Sequence, residues 1–375
     1  MTGVKKNHTA AISATVAAVS VLALAACTPS NEAPGPVGSE SASGDAIETT
    51  LSGTLNGAGA SSQESAMEVW RATFQSTQPG LTINYDPVGS GGGRTQFLEG
   101  AVAWAGSDSV LAEEEYEAAL AVCGPEGAIN LPVYISPIAA VFNLEGIDSL
   151  NLDAATLALI FDGQITTWND PAIAALNEGV ALPELAITTV HRGDESGTTK
   201  NFTDYLAKAA PEAWPHEASG DWPNAVGESG QGTSGLMQIV NDTAGAIGYA
   251  DASKVGSLGT VAVKVGEDFA SPSAEGAAIA LASSELRTGN GDADLAYAID
   301  RTTTASGAYP LMLVSYAIVC QHYEDSQVRA NVTGFLSYVA SSEGQADAAA
   351  AAGSAPLPAE LSAQIEGILE RIAAG

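Results

Sequence analysis

Residues 51–93 read LSGTLNGAGASSQESAMEVWRATFQSTQPGLTINYDPVGSGGG, and this stretch decides the fold class. Alternating apolar residues at 51–55 and at 81–85 predict two short strands. The spacing of Met67, Trp70 and Phe74 predicts a helix between them. A glycine-rich polar loop follows each strand, and the order of strand, polar loop and helix is typical of an α/β sheet.

The same order continues further along the chain. The apolar run 102–105 stops at Gly106-Ser107-Asp108, and a predicted strand at 187–190 ends in the polar loop 191–198. Ligands of open α/β sheets bind beyond the carboxyl ends of the strands. We therefore expect these loops to lie close together at a binding site.

Three other segments have clear patterns. The apolar segments 133–143 and 311–319 predict strands that cross between two halves of the protein. An apolar stripe at helical spacing, 361–372, predicts a helix near the C-terminus.

Composition limits the class of protein. The chain has 375 residues, of which 46% are hydrophobic, so it can form about two domains with a sizeable core. Its net charge is −31, and this becomes −33 if a leader containing Lys5 and Lys6 is removed. Such a surface repels nucleic acid. An anion site on this chain must therefore bind through local dipoles and hydrogen bonds.

The N-terminus predicts export. Lys5 and Lys6 precede a short apolar segment, which ends in Leu24-Ala-Ala-Cys27 and resembles the bacterial lipobox. We expect residues 1–26 to be a lipoprotein signal peptide and Cys27 to carry the lipid, whereas an ordinary signal peptide with a chance cysteine is the alternative. Residues 27–49 are rich in Pro, Ser and Gly, which predicts a flexible tether. This arrangement places the protein on the outer face of the cell membrane.

Two further cysteines, Cys123 and Cys320, belong to the exported part. An oxidising environment favours a disulfide between them. Two buried free thiols are the alternative, and the sequence alone leaves both open.

Four loops, around Gly57, Gly89, Gly106 and Arg192, share small hydroxyl residues and glycines. Glycines expose backbone N–H groups, and helix N-termini present unpaired donors, so such loops suit a tetrahedral oxyanion. Each loop alone is more typical of an ordinary tight turn, and only the set of four favours a binding site. Arg192 adds a guanidinium that can bind two oxygens of one anion, and a surface salt bridge to Asp194 is its alternative role.

Asp108 follows one of these loops and carries the wrong charge for an anion site. It fits an anion that retains a proton, because its carboxylate then accepts that hydrogen bond. Phosphate carries such a proton near neutral pH and sulfate does not, so Asp108 would exclude sulfate. The alternative is a helix N-cap for the segment 113–120.

These residues resemble the phosphate-binding receptors of phosphate-specific ABC transporters, from about residue 55 to the C-terminus. The motifs that carry the resemblance are 57–61, 88–93, 159–170, 190–198 and 245–249. It implies an α/β fold of the two-lobed periplasmic-binding-protein type (type II), with two hinge strands and a ligand cleft between the lobes. We expect residues 50–134 plus 309–375 to form lobe 1 and residues 135–308 to form lobe 2.

The resemblance also implies the site residues. Phosphate would be bound by Ser61, Ser62, Ser90, Asp108, Arg192, Ser196, Gly197 and Thr198, with Asp194 as the partner of Arg192. The chain departs from the family pattern at Ser61-Ser62, where Thr-Phe is frequent, and at Glu195, where glycine is frequent. We expect the Glu195 side chain to point to solvent.

The implied function is high-affinity binding of inorganic phosphate outside the cytoplasm and its delivery to an ABC importer. The implied protein is a monomer that contacts the permease directly and needs no cofactor, metal or catalytic residue. Three alternatives stay open: a receptor for sulfate or molybdate, a role in adhesion or sensing, and a secreted serine hydrolase that uses Ser196 and His191.

Overall fold

The computed structural model describes residues 50–375. The predicted signal peptide at 1–26, the lipid site at Cys27 and the whole predicted tether at 27–49 lie outside the described residues. The strands are β1 (Gly53–Gly59), β2 (Leu81–Asp86), β3 (Trp104–Ser107), β4 (Ala128–Phe142), β5 (Ser149–Leu152), β6 (Thr188–Arg192), β7 (Glu228–Gly230), β8 (Ala246–Asp251), β9 (Gly259–Val265), β10 (Asp268–Ala270), β11 (Glu285–Leu286), β12 (Tyr297–Ala298) and β13 (Met312–Cys320).

The α-helices are α1 (Glu64–Thr77), α2 (Ser90–Leu98), α3 (Glu113–Cys123), α4 (Ala154–Phe161), α5 (Pro171–Leu176), α6 (Gly197–Ala209), α7 (Gly232–Asp242), α8 (Ala274–Ala282), α9 (Ser326–Ala340), α10 (Ser342–Ala352) and α11 (Ala359–Ala374). Two short 3-10 turns, Ser61–Gln63 and Ala252–Lys254, follow β1 and β8. The α/β class that the sequence predicts is confirmed.

One curled sheet runs through the protein in the order β2-β1-β3-β13-β4-β8-β6-β7, and β9 joins it beside β4. Strand β1 is parallel to β2 and β3, and β6 is parallel to β7 and β8. Between these two groups, β13 and β4 are antiparallel to each other. Each parallel group directs its carboxyl ends, and the loops that follow them, toward one edge of the sheet.

The two long strands β4 and β13 are buried along their whole length. They pair from Met312 with Pro137 to Cys320 with Ala128, and both lobes of the fold share them. We use "first lobe" for the part built on β1, β2 and β3, and "second lobe" for the part built on β6, β7 and β8. The two crossing strands match the two apolar segments of the sequence, whereas the residue boundaries of the lobes stay a prediction.

Glycines enter a helix where the sequence predicts a loop. Helix α2 begins at Ser90, so the glycines at 91–93 form its first turn. Glycine lowers helix stability by roughly 1 kcal/mol relative to alanine. Here it allows close packing, because a Cβ atom on Gly93 would overlap the backbone of Gly59 in β1.

A disulfide joins Cys123, at the end of α3, to Cys320, at the end of β13. It links two elements that are 197 residues apart in the sequence. Among the helices at 50–375, none combines the length and the apolar character of a membrane span.

A buried carboxyl group lies beside a crossing strand, and it predicts a dependence of stability on pH. Asp251 ends β8, and its carboxylate accepts hydrogen bonds from the Tyr134 hydroxyl of β4 at 3.1 Å and from the Ser253 amide at 2.9 Å. Burial raises the pKa of Asp251 from 3.8 to about 6. Between pH 3.8 and about pH 6, the Asp251 carboxyl keeps its proton in the folded protein and has lost it in the unfolded chain. The contribution of Asp251 to stability is therefore greatest below pH 4 and falls as the pH rises through 6.

We expect Asp251→Asn to remove this loss of stability with rising pH. A shift of two pKa units corresponds to about 3 kcal/mol, so the variant should gain up to about that much relative to the wild type between pH 4 and pH 7.5. Urea unfolding of both proteins at the two pH values measures the difference. A stability difference that stays constant with pH would show that Asp251 titrates normally.

Candidate functional site

Loops from the two lobes meet in one buried polar cleft. The first lobe contributes Ser61 and Ser62 from the turn after β1, Ser90 from the start of α2, and Asp108 from the end of β3. The second lobe contributes the segment 192–198, which joins β6 to α6. The structure brings all eight predicted binding residues into this cleft, and the side chains that line it from both lobes are buried.

The carboxylate of Asp108 lies at the centre of the hydrogen bonds. Its Oδ1 accepts from the hydroxyls of Ser62 at 2.6 Å and Ser315 at 2.5 Å, and its Oδ2 accepts from Thr198 at 2.8 Å. Its backbone amide donates to the Oγ of Ser90 at 3.1 Å. A carboxylate has about four acceptor positions, so Asp108 keeps the capacity for one more donor.

Burial raises the pKa of Asp108, and this effect exceeds the lowering by its hydroxyl donors and by the charge of Arg192. As the pH falls, Asp108 therefore loses its ionised form, which accepts hydrogen bonds, at a higher pH than an exposed aspartate does.

Arg192 is 4% exposed, so its charge needs compensation inside the protein. Its Nε donates to Asp194 at 2.8 Å, its Nη2 forms a second bond to the same carboxylate, and its Nη1 donates to the Thr233 hydroxyl at 3.4 Å. Three of its five N–H bonds are thereby used, and two are left for a ligand. These two bonds to Asp194 orient the guanidinium, and the side chains of the pair are only 3% and 10% exposed, so it is not a surface salt bridge.

The start of α6 faces the first lobe. Ser196 caps this helix, because its hydroxyl accepts from the Thr199 amide at 3.2 Å. Gly197 lies directly against the opposite lobe: a Cβ atom there would come within 2.5 Å of the Ser90 Oγ and 3.0 Å of the Asp108 Cα. The N-terminus of this thirteen-residue helix therefore lies at the contact with the first lobe, where its dipole favours an anion.

Two residues of the site were missed at the sequence level. Ser315 is a hydroxyl residue within the apolar run 311–319, and it also accepts from Gln63 Nε2 at 2.6 Å. Thr233 is the second residue of α7, and its hydroxyl shares a hydrogen bond of 2.8 Å with that of Ser61 in the other lobe. Thr233 lies in the segment SGQGTSG, and its glycine and hydroxyl content matches that of the loops around Gly57, Gly89, Gly106 and Arg192.

Glu195 points to solvent only in part: its side chain is 31% exposed, but its carboxylate turns toward the first lobe. Its Oε1 lies 3.2 Å from the Arg94 guanidinium of the first lobe, and its Oε2 is buried. The sequence could not show this, because Arg94 is 101 residues away and has no motif of its own.

Two alternative roles are not supported by the geometry. Asp108 is not a helix cap, since α3 starts five residues later with Ala112 as its N-cap. His191 bonds the carbonyl of Arg192 and stacks on Trp222, while the Ser196 hydroxyl accepts from the Thr199 amide. The pairing of base and nucleophile that a serine hydrolase needs is therefore not among the hydrogen bonds of residues 50–375.

Cationic side chains are concentrated beside the site. A cavity of about 160 Å³ adjoins Asp108, and four cationic side chains and two acidic ones share its wall: Lys200, Lys208, Arg287, Arg301, Asp108 and Asp204. They offset locally the strongly negative charge of the chain. Within the described part of the chain, no cluster of three or more metal-ligating side chains is found.

Two lobes that share two strands, with hydrogen-bond donors from both lobes in one cleft, define a ligand-binding protein of the periplasmic-binding-protein class. The profile of the PBP superfamily domain matches residues 44–343. The phosphate-binding protein PstS 3 of Mycobacterium leprae is 40% identical over 294 residues, covering 76% of this chain and 78% of the relative. The chain is 37% identical to PstS 3 of Mycobacterium tuberculosis over 86% of its length and 88% of the relative. The chain belongs to the PBP superfamily and, within it, to the PstS family of phosphate-binding proteins.

Solved structures show the same fold. A high-affinity periplasmic phosphate-binding protein, PfluDING, has a TM-score of 0.69 at 21% identity, covering 84% of this chain and 93% of its own. A phosphate-binding protein from Stenotrophomonas maltophilia has a TM-score of 0.65 at 20% identity and covers 84% and 94%. These similarities confirm the two-lobed fold that the sequence predicts.

Proposed function

We propose that this protein binds inorganic phosphate in the cleft between its lobes and delivers it to an ABC-type importer. The observation that carries the proposal is the buried Asp108 carboxylate, which is bonded by hydroxyls from both lobes and lies close to Arg192. The family's phosphate-binding members support the choice of ligand.

The donors have distinct roles in this proposal. Arg192 supplies two charged N–H donors, and the amides at the start of α6 supply dipoles that favour negative charge. The hydroxyls of Ser61, Ser90 and Ser196 complete the shell. The hydroxyls of Ser62 and Thr198 donate to Asp108 in the structure and would turn toward the anion when it binds. Because these donors come from opposite lobes, a tetrahedral anion bridges the lobes and favours the closed form.

Asp108 selects the ligand. Its remaining acceptor position suits the proton of phosphate, whereas sulfate would bring an oxygen without a proton against a buried carboxylate. An unpaired polar contact of this kind is unfavourable by about 1–3 kcal/mol or more. The site therefore favours phosphate over fully deprotonated oxyanions.

Calorimetric titration with phosphate, arsenate and sulfate tests the proposal. Phosphate should bind with one site per chain, arsenate more weakly because it shares the proton, and sulfate without measurable heat. Sulfate binding as tight as phosphate would replace this function with that of a general oxyanion receptor. Failure of all three anions to bind would exclude both.

Proteins of this family act outside the cytoplasm, and we further propose that this chain is held there by a lipid on Cys27. Its partner would be the permease of the importer, contacted directly by a monomer. Metabolic labelling with a fatty-acid analogue should mark the wild type and leave Cys27→Ala unlabelled. Equal labelling of both proteins would place the lipid elsewhere.

A further inference from the structure

One ion pair connects the two lobes at the edge of the cleft. Arg94 of α2 is 7% exposed, and its Nη2 lies 3.2 Å from the Oε1 of Glu195, which precedes α6. The first lobe alone fixes Arg94: Glu115 accepts from its Nε at 2.9 and 3.0 Å, and its Nη1 donates to Ser107 and Ser109. The guanidinium is thus already oriented toward the place that Glu195 occupies.

Glu195 fits between two glycines, one from each lobe. A Cβ atom on Gly91 of the first lobe would overlap its Oε2, and a Cβ atom on Gly220 of the second lobe would overlap its Oε1. The Gly91 amide also donates to the Glu195 carbonyl at 3.3 Å. The side chain therefore contacts both backbones, and only glycine at positions 91 and 220 leaves room for it.

We propose that Glu195 is a latch residue, which stabilises the closed form and slows the release of the ligand. This inference rests on the proposed function. The contacts of Glu195 with Arg94 and Gly91 join opposite lobes, so opening of the cleft separates them. Any contact present only in the closed form shifts the equilibrium toward it and raises the apparent affinity by the same factor.

A latch role of Glu195 and simple repulsion of the anion by its charge predict opposite changes in phosphate affinity when Glu195 is replaced. A carboxylate near an anion site repels the ligand, and by that effect alone removal of Glu195 would tighten phosphate binding. The latch predicts the opposite result, because the loss of its contacts in the closed form lets the lobes open more readily. The two effects act on the same measured quantity, so one substitution decides between them.

Glu195→Gln removes the charge with little change of size. We expect phosphate to leave this variant about tenfold faster, with an association rate within about twofold of the wild type. The matched control is Glu64→Gln, because Glu64 forms a further ion pair between the lobes, 2.9 Å from Lys254. The two glutamates are similarly exposed, 29% for Glu64 and 31% for Glu195, but Lys254 is 25% exposed and Arg94 only 9%. Loss of the pair with the more exposed cation should change release less than about threefold.

Gly220→Ala tests the same contact without any change of charge. The added methyl group would displace the Oε1 that pairs with Arg94, and the backbone of Gly220 needs no positive φ, so the fold should accept alanine. We expect faster release in this variant too. Both substitutions act on one contact, so their effects should not multiply. The release rate of the double variant Glu195→Gln/Gly220→Ala should increase by less than the product of the two single increases.

Stopped-flow release and small-angle scattering of the ligand-free proteins provide independent readouts. The radius of gyration should be larger in Glu195→Gln and Gly220→Ala than in the wild type and Glu64→Gln. Tighter binding by Glu195→Gln, or an equal effect of Glu64→Gln, would overturn the latch. Absence of phosphate binding by the wild type would contradict the proposed function. The latch has its own test, because equal radii of gyration in all four ligand-free proteins would overturn it whether or not phosphate binds.

Discussion

Replacement of Arg192 by alanine is expected to weaken phosphate binding about a thousandfold. The substitution removes two charged hydrogen bonds, each contributing about 1.5–3 kcal/mol, and a factor of ten corresponds to about 1.4 kcal/mol. It also leaves the Asp194 carboxylate without its guanidinium, beside the incoming anion. Calorimetric titration of both proteins with phosphate measures the loss.

Ser90→Ala is the control for this prediction. The substitution removes one neutral hydroxyl, which also accepts from the Asp108 amide, and we expect a loss of about tenfold. Circular dichroism should show that both variants are folded. If the two variants lost affinity equally, Arg192 would have only a structural role.

Asp108→Asn is expected to lower the preference for phosphate over sulfate about a hundredfold. The asparagine amide cannot accept the phosphate proton, so phosphate loses a hydrogen bond to a charged group, which contributes about 1.5–3 kcal/mol. The same amide donates to sulfate and removes the repelling charge. Parallel titrations of the wild type and the variant with both anions give the ratio.

Asp108 also predicts how selectivity depends on pH. Since burial raises its pKa, the carboxylate becomes protonated at a higher pH than an exposed aspartate does. Sulfate stays fully ionised over this range, so its titration reports on Asp108 alone. Sulfate binding by the wild type should strengthen as the pH falls, and sulfate binding by Asp108→Asn should stay constant. A flat profile for both proteins, with unchanged selectivity, would remove Asp108 from this role.

The sequence predicts the site well where the signal is local. Glycines and hydroxyl residues that directly follow apolar strands mark Ser61, Ser90 and Asp108, since the order of strand and loop defines which edge of the sheet they occupy. Arg192 adds a guanidinium beside one of these loops, and the resemblance to the family implies the same role for it. These residues need no knowledge of distant partners to be recognised.

The remaining features depend on contacts between distant segments. Strands β4 and β13 are buried along their whole length and mostly apolar, so neither shows the alternation that would fix their pairing, which includes Leu313 with Ser136. Ser315 acquires its role only because this pairing aims its hydroxyl at Asp108. Glu195 is likewise defined by Arg94 and two glycines that lie elsewhere in the chain.

Gly197 sets a steric limit on closure. Its missing side chain faces Ser90 and Asp108 of the other lobe, so even one added methyl group at this position would act as a wedge between the lobes. Glycine is therefore required at position 197 by contact with the first lobe and not by the helix that contains it. In a cell that produced an alanine variant, the two lobes of the receptor would be held partly open, so the anion could bind without the lobes closing around it.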